Sequence, residues 1–164
     1  MKRGQFWYSD FVIGFSILAI IGLLFVSAMV DISLRNQDTR DIFGEIISIS
    51  NNLRSSGYLP YEWQDGNGRI GLIDSSRVNF TKLTLFQDLD YTKKSKVLLG
   101  TTKDFVFYFE NKQGMRLVEY GNNGFFGDPA INDMNSIKAD TILKFTRFVF
   151  LNGQIVKMVV VMWE

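Results

Sequence analysis

The sequence predicts an α+β chain, in which one long N-terminal helix packs on a C-terminal antiparallel β-meander. Three observations lead there. An uncharged apolar run begins at residue 11, a helical stripe continues past it to residue 53, and from residue 103 apolar residues recur with the two-residue period of strands. The chain has 164 residues, 46% hydrophobic and 15% aromatic, which is apolar surface enough for one core and an anchor.

Residues 11–30 read FVIGFSILAIIGLLFVSAMV, diluted only by Gly14, Ser16, Gly22 and Ser27. As a helix, about 20 residues rising about 1.5 Å each cover the ~30 Å hydrocarbon core of a bilayer. A soluble surface helix would show a polar stripe, and this segment has none. Lys2 and Arg3 precede it, whereas Asp31, Arg35, Asp38, Arg40 and Asp41 follow with mixed sign. That basic excess predicts a cytoplasmic N-terminus and an extracellular head. Trp7 and Tyr8 stand where interfacial aromatics anchor a helix. A rival reading makes residues 1–28 a removable secretory signal, with Val26-Ser27-Ala28 as its small-residue end and Met29 as the new N-terminus.

Beyond Val30 the helical pattern continues. Ile42, Phe43, Ile46, Ile47, Ser50 and Leu53 form one stripe, and Arg40, Asp41, Glu45 and Arg54 fit a wet face. Gly57 suits the position after a helix end, and Pro60 stops further helix. The expected helix runs from about Ser9 to Ser56. The chain then divides into a leader (1–4), a transmembrane helix (5–30), an amphipathic extension (31–56) and a head (57–164).

In the head, residues 57–71 are rich in turn formers. Asn79 can cap a short helix reaching about Leu89, with Phe80, Leu83 and Phe86 on one side. Asp90 or Thr92 can start a second, ending at Gly100. Residues 105–110 and 115–120 read as strands around a turn at 111–114. Residues 142–151 and 154–163 form a hairpin across Asn152-Gly153, the preferred two-residue type I′ turn. Phe145, Arg147, Val149 and Leu151 share one face of it, and Lys144, Thr146, Phe148 and Phe150 the other. Apolar groups on both faces predict a sheet partly covered twice, once by the long helix.

The chemistry available to the chain is narrow. It has no cysteine and no histidine, which excludes disulfides, thiolate nucleophiles, Cys-ligated metals and a Ser-His-Asp triad. No enzymatic activity and no cofactor are expected. Removing Lys2, Arg3 and Asp10 from the 18 basic and 17 acidic residues leaves residues 31–164 balanced, without an electrostatic footprint for nucleic acid. Gly66-Asn67-Gly68-Arg69-Ile70-Gly71 matches G-x-G-x-x-G, with Asp88 and Asp90 downstream, but it lacks the flanking strand and helix of a dinucleotide site and reads as a turn. Asp128, Asn132, Asp133 and Asn135 crowd oxygen atoms of the kind Ca²⁺ takes, at a spacing that matches no EF-hand, and also suit ordinary turns. Asn79-Phe80-Thr81 is an N-glycosylation sequon on the proposed helix cap; one side chain does not easily serve both uses.

Lys2-Arg3-Gly4-Gln5, a few residues including the acid Asp10, then an unbroken apolar helix resembles the class III leader of archaeal type IV pilin-like proteins. The head resembles a group of such proteins in Gly57-Tyr-Leu-Pro60-Tyr-Glu-Trp63, Ile70-Gly71-Leu72, Leu98-Leu99-Gly100 before Phe105-Val-Phe-Tyr-Phe109, and a final hairpin ending in Trp163. The resemblance implies cleavage by a membrane-embedded prepilin peptidase between Gly4 and Gln5. It also implies a helix that stays on the mature subunit, contacts lipid, and packs with copies of itself or related subunits in a surface filament or pseudopilus. Many pilins carry Glu at the fifth mature position; here that position is Ser9 and the acid, Asp10, is sixth. One residue turns a helix by about 100°, so the offset points to a minor or pseudopilin-like subunit. The alternative expectation is an uncleaved single-pass protein whose head binds or senses an extracellular ligand.

Overall fold

The computed structural model describes residues 4–58, 62–63, 65–66, 68–121 and 123–164, apart from the side chains of residues 4–7 and 34–38. The expected stop at Pro60 lies outside them. The chain divides into two compact units between Arg40 and Asp41. Helix α1, Gly4–Arg54, starts earlier than the sequence pattern indicates and ends close to the expected place.

In the second unit, α1 turns Ile42, Ile46, Ile49, Ser50 and Leu53 into the core. The buried stripe is rotated from the expected one. Phe43 remains 52% exposed and Ile47 is only partly covered, while Ile49 is fully buried. The spacing 42-46-49-53 alternates steps of four and three and so follows the 3.6-residue period; Phe43 and Ile47 each lie about 100° off that line.

The rest of the head carries β1 (Ile73–Asp74), β2 (Arg77–Val78), α2 (Phe80–Gln87), a π-type turn (Tyr91–Ser95) running into α3 (Lys96–Leu99), β3 (Asp104–Glu110), β4 (Phe125–Gly127), a 3-10 turn (Met134–Ser136), β5 (Ile142–Leu151) and β6 (Gln154–Trp163). One sheet collects the strands in the order β1-β2-β5-β6-β3-β4. The fold is α+β, but the sheet is mixed and is not a meander. β2 runs parallel to β5, with Arg77 opposite Phe150, and β6 inserts between β5 and β3. β6 takes the centre because every residue from Met158 to Trp163 is buried, and a central strand is covered on both faces.

Residues 115–120 are not the strand the alternation suggests. They touch β3 through a single Glu110–Arg116 bridge and a Leu117 N–H donated to Phe109 O, and Met115 and Val118 are exposed. The partner of β3 on the side away from β6 is β4, whose Phe126 stacks on Phe107 at 4.9 Å and whose Phe125 meets Tyr108 edge-on at 5.4 Å. Two ring contacts on the pleat outweigh a weak two-residue alternation.

The sheet is covered on both faces, as the hairpin pattern indicates. Phe105, Phe107, Phe109, Val156, Met158, Val160 and Met162 share a core with the Ile42–Leu53 stripe of α1. Val106, Tyr108, Val159, Val161 and Trp163 are covered from the opposite side by Phe125 and Ile131, with Met134, Ile137 and Ala139 beside them. The second cover reaches β3 and β6 but stops short of β5, where Phe148 (68%) and Ile142 (46%) stay exposed.

Two glycine positions show different demands. Asn152 and Gly153 have φ of 49° and 76°, the left-handed pair a type I′ turn requires. Gly71 instead answers to space. Leu72 N–H donates to Leu53 O and Ile73 N–H to Ser55 O, satisfying carbonyls at the end of α1. That pairing brings the backbones at Gly57 and Gly71 so close that a Cβ on Gly71 would lie inside contact distance of Gly57 N and Ser55 O. A Cβ on Gly153 would meet nothing. Gly71→Ala is therefore expected to cost about 3 kcal/mol, as overpacking against backbone does, and Gly153→Ala about 1 kcal/mol, as left-handed strain alone does. Denaturation midpoints of the detergent-solubilised chain check the order; equal losses would contradict it.

Candidate functional site

The functional residues expected from the sequence fall in two places, the apolar stretch of α1 and the loops of the head. In α1, Tyr8–Ser33 is 26 residues long and no part of it is buried within the chain. It is the one helix among the described residues with the length and composition to cross a membrane. Phe11, Phe15, Leu18, Leu23, Leu24 and Phe25 each expose more than 60% of their surface. Phe11 and Phe15, four residues apart, stack at 6.3 Å. Ser16 returns its hydroxyl to Val12 O at 2.8 Å, so its polarity is spent inside the helix. Gly14 and Gly22 leave open space where a Cβ would stand, which lets another helix approach there.

Gly4 and Gln5 lie in the first turn of α1. Asp10 and Ser9 are exposed near the start of the apolar stretch. Lys2 and Arg3 lie outside the described residues, as does the Trp7 side chain.

In the head, Asn79 is the N-cap of α2: its side-chain oxygen accepts the Lys82 N–H at 3.2 Å. Its amide nitrogen donates to Asp74 Oδ2 at 2.8 Å. Lys82 Nζ completes the clasp, donating to Asp74 Oδ1 at 2.7 Å and to Ser56 O at 2.5 Å. Periodicity did not single out Lys82, which is only 7% exposed although it is charged. The lysine bond, with help from Asn79, holds the Asp74 carboxyl below the usual carboxylate range. Both ends of the Asn79 amide are thus engaged, and a glycan would have to share its nitrogen with the bond to Asp74.

Asp128, Asn132, Asp133 and Asn135 use their side chains locally. Asp128 accepts the Ala130 N–H at 2.9 Å, and Asp133 caps the 134–136 turn by accepting from Asn135 N. Asn135 donates to the Asp133 carboxylate, while Asn132 accepts from Asn123 at 3.4 Å. Among the described residues, no three acidic side chains gather as a metal site.

Gly66 and Gly68 are left-handed turn residues, and a two-residue strand, not a helix, follows Gly71. Asp88 and Asp90 serve as helix caps. Tyr91 fastens the edge of the head: its hydroxyl donates to Asp104 at 3.0 Å and accepts the Phe105 N–H at 2.9 Å. Burial first, and the Asp104 carboxylate after it, push the phenol well above its ordinary pKa. An open hollow of about 470 Å³ is lined by Arg54, Ser56, Ile73, Ser75, Ser76 and the 148–150 stretch of β5. Arg54 is the charged group among those residues.

Comparison of the chain with family models, with curated proteins and with solved structures finds no match.

Because Asn79 is a cap and a carboxylate partner at once, Asn79→Ala should destabilise the head by about 1–2 kcal/mol. Asn79→Asp, which keeps a capping oxygen but sets a second carboxylate beside Asp74, should recover only part of that loss. The natively folded protein should carry no sugar at Asn79. Denaturation midpoints and peptide mass mapping check these outcomes; an intact fold with a fully glycosylated Asn79 would contradict the clasp.

Proposed function

We propose that this protein is a pilin-like structural subunit, without enzymatic activity, that is held and assembled through α1. The observation that carries the reading is the apolar stretch Tyr8–Ser33, which nothing among the described residues covers. Such a surface is stable in lipid or against neighbouring helices, and a filament core supplies the second. The leader-like residues Lys2-Arg3-Gly4-Gln5 supply the reason for filament assembly over permanent anchoring.

In this reading Lys2 and Arg3 keep the N-terminus on the cytoplasmic side, and the head is extracellular. A prepilin peptidase acts on the peptide bond after Gly4, whose missing Cβ lets a protease backbone come close. Removing Lys2 and Arg3 lowers the barrier to drawing the helix out of lipid. The new α-amine, with a pKa of about 8, is largely protonated and pairs with Asp10 of a neighbouring subunit. Van der Waals packing at Gly14 and Gly22 brings those helices together. Partners are therefore lipid, the peptidase, and copies or relatives of this chain.

Intact-mass analysis of protein isolated from native membranes or filaments should find Gln5 as the first residue. Gly4→Leu should retain the leader. Native protein that keeps Met1–Gly4 would overturn the pilin-like reading in favour of an uncleaved anchor with a ligand-sensing head; a first residue at Met29 would make the chain a secreted protein.

A further inference from the structure

β5 is ten residues long, yet β2 meets it only at Phe150. The Asn152-Gly153 turn makes Leu151 and Gln154 a hydrogen-bonded pair. Alternation then points the N–H and C=O of Leu143, Phe145, Arg147 and Val149 toward β6. Those of Ile142, Lys144, Thr146 and Phe148 point outward, and no other strand among the described residues pairs with them. Such an edge is a template for another strand unless it is blunted. None of the usual devices is at work on residues 142–148, which hold no proline and run as unbroken strand. The two cations are turned away from the edge. Lys144 Nζ reaches back across the sheet to Glu110 at 3.2 Å and lies 5.5 Å from the centre of the Tyr108 ring. Arg147 bonds Asn51 and lies over the Phe145 ring.

We infer that β5 pairs antiparallel with β5 of a second copy of this chain, across a two-fold axis at Phe145. The residues themselves select the partner and the register. In an antiparallel pair, outward-pointing residues must face outward-pointing residues. The register that sets Ile142 opposite Phe148 and Lys144 opposite Thr146 satisfies every free N–H and C=O of the edge and leaves β2 in place. It brings the exposed Ile142 and Phe148 side chains together on the uncovered face. On the other face it sets Leu143 opposite Arg147 and Phe145 opposite its own copy. No like charges oppose each other. A slip by two residues one way sets Lys144 against its own copy, and a slip the other way leaves Ile142 facing Phe150, which β2 already holds. A contact of this size is transient for free molecules. The pairing closes on itself, as a two-fold contact does, and it does not depend on cleavage after Gly4.

The absence of native cysteine permits a direct test with the full-length chain in detergent solution. One preparation carries Ile142→Cys with a size tag, and another carries Phe148→Cys without one. In the inferred register the two thiol positions face each other with Cα atoms about 5.5 Å apart, within disulfide reach. Two copies of residue 142 would lie about 20 Å apart along the strands. Oxidation should give a cross-linked dimer in the mixture and only background in each preparation alone, or in Ile142→Cys mixed with Thr146→Cys. Adding Thr146→Pro to both chains removes an outward N–H while sparing the β5–β6 ladder, and should abolish the dimer. No dimer in the mixture, equal dimer in every combination, or a dimer that survives Thr146→Pro in the folded chain would overturn the inference. If Thr146→Pro fails to fold, the thiol combinations alone decide.

Discussion

The first half of α1 has no apolar partner among the described residues of its own chain, and the rest of the protein's design follows from that constraint. From Tyr8 to Ser33 the helix is wholly uncovered, and from Phe11 to Val30 it carries no charge on any side. Leaving such a surface in water costs about 25 cal/mol for each Å² of apolar area, a cost that accumulates over the whole segment. Lipid removes it, and so do adjacent helices of the same kind. A helix is suited to either setting because its backbone hydrogen bonds are made internally. Past Arg40 the same helix changes character. Only the line of Ile42, Ile46, Ile49, Ser50 and Leu53 is hidden, and Arg40, Asp41 and Arg54 face water.

The head solves its own problem around β6. Flanked by β3 and β5, this strand is dry on both faces over its second half, and the aromatic rings of β3 and β4 fill the space beside it. Polar groups are paired at the margins. The Asp74–Asn79–Lys82 clasp ties the start of α2 to the chain leaving α1. Tyr91 ties the π-type turn to β3. The second cover, built from Ile131 and its neighbours, stops before β5, so the strand that forms the clearest hairpin also keeps an open edge.

Much of this was legible in the residues. The uncharged run, the Asn152-Gly153 turn and the Asn79 cap each rest on a local rule with one dominant cause. What the sequence hid was non-local. Nothing in MRLVEY says that β3 will choose Phe125 and Phe126 instead, because that choice depends on ring contacts between residues far apart in the chain. The parallel contact of β2 with β5 has no sequence signature, since two residues show no period. Nothing in the periodicity marks Lys82, whose partners Asp74 and Ser56 are brought to it by the fold. Gly71 read as one glycine of a turn, and its particular cause proved to be contact between backbones. The candidate oxygens at Asp128, Asn132, Asp133 and Asn135 were legible as turn formers, and that is how their side chains are used.

The central claim is that the apolar stretch of α1 must be covered by something outside the chain. Alkaline carbonate extraction of membranes holding the full-length protein tests it most directly, compared with a variant carrying Leu18→Lys and Ile21→Lys in the middle of the stretch. The account predicts that the natural sequence stays with the membrane pellet and is released only by detergent, while the lysine variant passes largely into the aqueous fraction. Natural protein that remains monomeric in the aqueous fraction without detergent would contradict it.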